Sequence, residues 1–231
     1  MRTSQLLRAA TAATAVMTSC AHAGIIGFVG DSTLEWGWDK FDEVQPYGEM
    51  EVILNGHEPG PPFELVDAWP TSCGPVALSL THDARHVQQG WATWSHGYTG
   101  EVFYTLGGLE ATYTMPPGIG AFDFYVEPNA FSIIKFTAVG YASDGTDSGP
   151  MVSWIAGASG ASHFGFYTTG GAALTHVHVS AYSDFAIGEM RIVAIPAPAM
   201  TACLAIPALR RQRHRRPRAM GGTGRIREHS P

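Results

Sequence analysis

Residues 121–139 read AFDFYVEPNAFSIIKFTAV, and their spacing decides the fold class. Phe122, Phe124 and Val126 alternate with Asp123, Tyr125 and Glu127. Successive side chains of an extended strand point to opposite faces, so the first set is placed on a core and the second on the other face. Pro128 and Asn129 then supply turn chemistry, and Phe131 to Val139 resumes an aromatic and β-branched run. A strand, a short break and a second strand with no helical period between them is the pattern of an antiparallel sheet.

Working outward, the same alternation predicts strands at GEVFYTL (100–106), LEATYTM (109–115), ASHFGFYT (161–168), LTHVHVSA (174–181) and FAIGEMRIVAI (185–195). Gly, Pro, Asn and Asp mark the breaks, in LGGLE, MPPGIG, SDGTDSGP and TGGAA. Short strands at roughly ten-residue spacing predict an all-β fold, a single antiparallel β-sandwich of the jelly-roll kind over residues 24–194. Before Pro75 the pattern is irregular, and only EMEVIL (49–54) and VALSL (76–80) read as strands.

The formal charge of −6 is the sum of two unlike regions. Residues 24–194 hold four bases (Lys40, Arg85, Lys135, Arg191) against 19 acids, a formal −15, whereas the stretch after 195 holds eight arginines and one acid, Glu228. An acidic body repels phosphate backbones, which excludes nucleic acid as the expected partner of the fold.

The ends read as addresses. Arg2 and Arg8 precede a weakly apolar stretch and then Ala21-His22-Ala23, the small-x-small pattern of signal peptidase, so residues 1–23 are expected to leave as a signal peptide by cleavage between Ala23 and Gly24. The apolar part of residues 195–218, Ile195 to Leu209, is too short for a comfortable membrane span and contains Pro207. Arginines at 210, 211, 213, 215 and 216 follow it, consistent with the positive-inside rule, and residues 219–231 read as a disordered tail. Of three cysteines only Cys73 lies in the expected domain, where it reads as a small buried hydrophobe and not as a nucleophile.

Several constellations bear on chemistry. His176 and His178 are two apart on one strand and so share a face; metal binding there needs further ligands such as His163 or Glu189. His82 and His86 stand at i and i+4, one face of a helix if a helix forms. Asp144 and Asp147 place two carboxylates in a Gly-rich turn, fewer oxygens than calcium takes. No nucleophile elbow, phosphate loop, dinucleotide fingerprint or zinc-protease helix is present, and no cofactor is expected. Glu101, Glu110, Asp123 and Glu127 are the acids from which a paired-carboxylate glycan hydrolase would have to draw, since that pairing leaves no linear motif. Trp91, Trp94, His96 and Tyr98, in WATWSHGYTG, mix flat aromatic faces with polar groups and are the expected ligand-binding residues.

The order Pro196-Ala197-Pro198, apolar run, then Arg210, Arg211 and Arg213 resembles a degenerate PEP-CTERM-type sorting signal of exported bacterial proteins. That resemblance implies transient association with the inner membrane, cutting by a dedicated C-terminal sorting protease of the export machinery, and passage to the cell surface or extracellular matrix. Residues 91–193 look like the β-rich domain of unassigned function that accompanies such tails, which implies an exported β-sandwich and no catalytic residues. The combined expectation is a non-enzymatic surface or matrix protein that binds polysaccharide. A secreted glycan hydrolase is the alternative.

Overall fold

The structure is a computed structural model, and it describes residues 24–30, 37–53 and 63–196. Their strands are β1 (Gly24–Val29), β2 (Glu51–Val52), β3 (Leu65–Trp69), β4 (Val76–Val87), β5 (Gly90–Trp91), β6 (Glu101–Tyr104) and β7 (Glu110–Thr114). They continue with β8 (Ile119–Pro128), β9 (Ile133–Ala142), β10 (Met151–Ala156), β11 (Ser162–Thr169), β12 (Leu174–Ala181) and β13 (Phe185–Ala194). Among the described residues one helix, α1 (Gly37–Val44), joins them.

The fold is all-β and, apart from a two-residue parallel contact between β4 and β5, antiparallel. The strands form one continuous sheet in the order β1-β11-β8-β13-β6-β4-β7-β12-β9-β10, with β2 beside β13 and β3 and β5 beside β4. The sheet curls until β1 packs alongside β9 and β10, so the two layers expected of a sandwich are joined in a nearly closed barrel. Phe122, Phe124 and Val126 of β8, Phe164 and Phe166 of β11 and Val177 and Val179 of β12 fill its interior with no exposed surface. A core packed this closely leaves each strand one alternation register, because a one-residue slip would turn the aromatics outward.

The strands expected from residue 100 onward form, with ends shifted by one or two residues and β9 extended to Ala142. Of EMEVIL only Glu51–Val52 pairs, on β13, and Leu54 lies outside the described residues. VALSL is the start of a longer strand, β4, which runs on through His82 and His86. The one-face helical reading of those two histidines is therefore corrected. His82 lies inside the barrel with its ring nitrogens on the Leu80 carbonyl oxygen, at 2.9 Å, and the Tyr113 hydroxyl, at 3.3 Å, while His86 pairs with Gly90. Backbone pairing to β3 on one side and β6 and β7 on the other outweighs any local helical preference.

Candidate functional site

The outer face of β8, β11 and β13 is covered, and the cover is what organises its chemistry. Asp123, Tyr125 and Glu127 point away from the core as the alternation predicts, yet all are buried. The segment that follows β5 lies over one end of this face and α1 over the other. Phe41 of α1 packs between Phe28, His163 and Tyr167, and Gly165 of β11 makes that seat possible: a Cβ there would stand 2.4 Å from Phe41 Cε2.

A bulge in β13 sets the middle of the face. Gly188 opposes Tyr125 and Arg191 opposes Asp123, so three steps on β13 meet two on β8. The extra residue leaves Ile187 and Met190 in the core, and Glu189, at φ +50°, is turned out toward the segment after β5.

Three of the four expected ligand-binding residues are tied to this face. Trp91 is buried, and its indole N–H donates to Glu127 Oε2 at 2.6 Å. Trp94 donates to Glu189 Oε1 at 2.5 Å and His96 Nε2 donates to Glu189 Oε2 at 2.7 Å. The His96 ring also packs on Tyr125, with centroids 4.9 Å apart. Tyr98 donates to the Glu101 carbonyl at 2.9 Å, and burial, followed by the charges of Glu189 and Glu101, pushes its hydroxyl pKa up. The polar tips of the cluster are thus spent inside the protein, and the indole of Trp91 offers no open face to a sugar.

The remaining acids behave similarly. Asp123 takes Arg191 Nη2 at 2.6 Å and His163 Nε2 at 3.0 Å, while Arg191 also reaches Asp42 of α1 at 2.9 Å and lies 4.6 Å from the Trp38 ring centroid. Burial alone would lower the Arg191 pKa, and the hydrogen bonds and charges of Asp123 and then Asp42 reverse this and raise it. Glu127 has no cationic partner among the described residues; burial raises its pKa from 4.5 to about 7 against the opposing hydrogen bonds of Thr93 and Trp91. Beside it, Trp91, Thr93, Asn129, Phe131 and Gly157 help line a pocket of about 160 Å³, and no carboxylate lines it. Asp123 and Glu127 stand four residues apart on one strand, about 13 Å between backbones. Glu101 is partly buried, and Glu110 is exposed on β7 near His178, at 3.9 Å. The four acids are not gathered into one cleft.

The other constellations are dispersed. His176 and His178 do share the outer face of β12, where His176 stacks on Tyr141 at 4.3 Å and burial, then the charge of His178, lowers the His176 pKa. His163 and Glu189 belong to the covered face and have other partners, and among the described residues no three His, Cys, Asp or Glu side chains gather as a metal site. Asp144 accepts from the Thr146 hydroxyl and backbone N–H, and Asp147 from the Gly149 N–H, which is local turn bonding. Cys73 packs against the core, 3.7 Å from the Ser72 hydroxyl. Gly24 opens β1 and Pro196 follows β13, while Ala23, Pro198, Arg210, Arg211, Arg213 and residues 219–231 lie outside the described residues. Among the described residues no helix is long and apolar enough to cross a membrane.

Elsewhere on the barrel, the outer side of β9 and β10 carries exposed side chains. Trp154 of β10 is 64% exposed there, opposite Lys135 of β9, with exposed Ile133 and Val152 as neighbours. MVSWIA carries the alternation that places Trp154 outward and Ile155 inward, a signal the sequence reading passed over. No family model and no curated protein matches the chain.

Proposed function

We propose that the chain is an exported, non-enzymatic protein of the cell surface or extracellular matrix that binds polysaccharide through an exposed face of its β domain. The observation that carries this reading is the contrast between the two outer faces. One is roofed, with its carboxylates committed to indole, imidazole, hydroxyl and guanidinium partners. The other leaves an exposed indole on an antiparallel strand pair, a ring on which the C–H face of a sugar can stack.

Export and sorting rest on the two termini. The N-terminal pattern supports cleavage before Gly24, and the proline, apolar and arginine order at residues 196–216 supports transient inner-membrane association and a sorting protease as a partner. Mass spectrometry of the protein recovered from its native host tests this: termini at Gly24 and before Arg210 support it, and an intact Met1 to Pro231 chain overturns it.

The polysaccharide part is tested by co-sedimentation of the purified protein with a panel of insoluble and cross-linked polysaccharides. Retention on at least one, lost in Trp154→Ala, supports the reading. Uniform failure across the panel, or turnover of a glycan by the purified protein, refutes it in favour of no binding or of hydrolysis respectively.

A further inference from the structure

The charge of the domain is segregated, and the segregation picks out the open face. None of the 19 acids of residues 24–194 lies in β9, β10 or β12, although these three neighbouring strands carry Lys135, His176 and His178. The other three bases of the domain are neutralised: Lys40 by Glu43, Arg85 by Asp83, and Arg191 by Asp42 and Asp123. Lys135 pairs with no acid among the described residues. Acids border these strands without pairing with Lys135. Glu110 lies across β7 beside His178, and Asp147 bridges to Tyr141, six residues or about 20 Å along β9 from Lys135.

Lys135 and Trp154 are directly opposed in the β9–β10 register. Side chains so placed on one face of an antiparallel pair have Cβ atoms about 5 Å apart. Ile133 and Val152 sit diagonally beside them on the same face, and Thr137 opposes both Val152 and Ser180. A flat apolar ring, a flanking apolar rim and one uncompensated ammonium are thus combined at one place in an otherwise acidic body. A sugar stacked on the indole has its ring substituents within reach of that ammonium, and a carboxylate there gains a charge-assisted hydrogen bond that a hydroxyl does not.

We propose that Trp154 and Lys135 form a binding site for polysaccharides of carboxylated sugars, with the indole stacking on the ring and the ammonium pairing with the uronate. The site rests on the reading of the protein as a polysaccharide binder and adds to it a place and a ligand class. The acids of the rest of the domain repel a polyanion, and none of them lies in the three strands that carry this site.

The test is equilibrium binding of the purified protein to oligogalacturonate, to the same oligomer with its carboxylates methyl-esterified, and to neutral β-glucan oligomers. Wild-type protein, Lys135→Met and Trp154→Ala are compared, with circular dichroism to show that the substitutions at half-buried Lys135 and exposed Trp154 leave the fold intact. The site predicts binding of the acid form about tenfold tighter than the ester, lost to the level of the ester in Lys135→Met and abolished for both forms in Trp154→Ala. Raising salt weakens binding of the acid form and leaves the ester unchanged. Equal affinity for acid and ester, unmoved by Lys135→Met, overturns the carboxylate pairing while leaving polysaccharide binding standing. Binding of any of these ligands that survives Trp154→Ala overturns the location. Binding to none of them overturns the ligand class, and a clean panel in the co-sedimentation assay then removes the broader reading as well. Self-association in sedimentation velocity, abolished by Trp154→Ala, identifies the face as a contact between copies and overturns the proposal.

Discussion

Glu127→Gln tests the covered face most sharply, because the geometry around Glu127 is that of a protonated acid. The Thr93 hydroxyl has one proton and two acceptors in reach, Glu127 Oε1 at 2.6 Å and the Gly157 carbonyl at 2.9 Å. A protonated Glu127 resolves the competition: its own O–H donates to Thr93, Thr93 donates to Gly157, and Oε2 accepts from Trp91. An ionised Glu127 takes the Thr93 proton and leaves the Gly157 carbonyl without it. The pKa, raised by burial from 4.5 to about 7, agrees with this arrangement.

The consequence for stability has a definite sign. Between pH 4.5 and about 7 the folded chain holds a proton that the unfolded chain has released, so the stabilisation is complete below pH 4.5 and is lost as pH rises to about 7. At 1.36 kcal/mol per pH unit the loss is about 3 kcal/mol over that window. A glutamine reproduces the protonated hydrogen-bond set, with its amide N–H on Thr93 and its oxygen on Trp91, and cannot ionise. Urea unfolding of both proteins at pH 5 and pH 8 therefore gives a difference curve that belongs to this group alone. The variant is expected to exceed the wild type by about 0.7 kcal/mol at pH 5 and by about 3 kcal/mol at pH 8. Parallel stabilities at the two pH values, or a variant uniformly weaker at both, refute the protonated reading.

Further outcomes follow from the same face. Arg191→Met strands the fully buried Asp123 with only His163 beside it, and a loss of about 3–5 kcal/mol is expected in denaturant unfolding. Gly165→Ala drives a Cβ toward Phe41, and a loss of about 1–3 kcal/mol is expected, with faster proteolysis within α1 than in the wild type. Trp94→Phe keeps most of the packing and removes one donor from Glu189, which is expected to lower the unfolding midpoint by the equivalent of about 1–3 kcal/mol while leaving polysaccharide retention unchanged.

The alternation in residues 121–139 carried the class of the fold because both of its consequences are local: which face a side chain takes, and where a turn interrupts. Phe122, Phe124 and Val126 are buried as that spacing requires. What periodicity could not convey is what lies over the second face. Asp123, Tyr125 and Glu127, which the spacing only places on the other face, are roofed, because α1 and the segment after β5 arrive from distant parts of the chain. The same long-range cover ties the aromatic tips of WATWSHGYTG to Glu127 and Glu189, with Trp91 buried and Trp94 half-buried. β4 was legible only to Leu80, since His82 and Asp83 are polar residues inside a strand and are accommodated by partners on β7 and by Arg85. The bulge that aims Glu189 has no sequence signature beyond Gly188 preceding it. Trp154 was readable in MVSWIA, where period two separates an exposed indole from a buried Ile155.

The claim that the open face, and not the 91–98 segment, meets the ligand is tested most directly by hydroxyl-radical footprinting of the protein with and without a bound polysaccharide. Exposure makes Trp154 a fast-reacting side chain in the free protein. Protection of Trp154 and Ile133 on binding, with oxidation of Trp94 and Tyr98 unchanged, is the predicted result. Protection confined to residues 91–98, with Trp154 reacting as before, contradicts it.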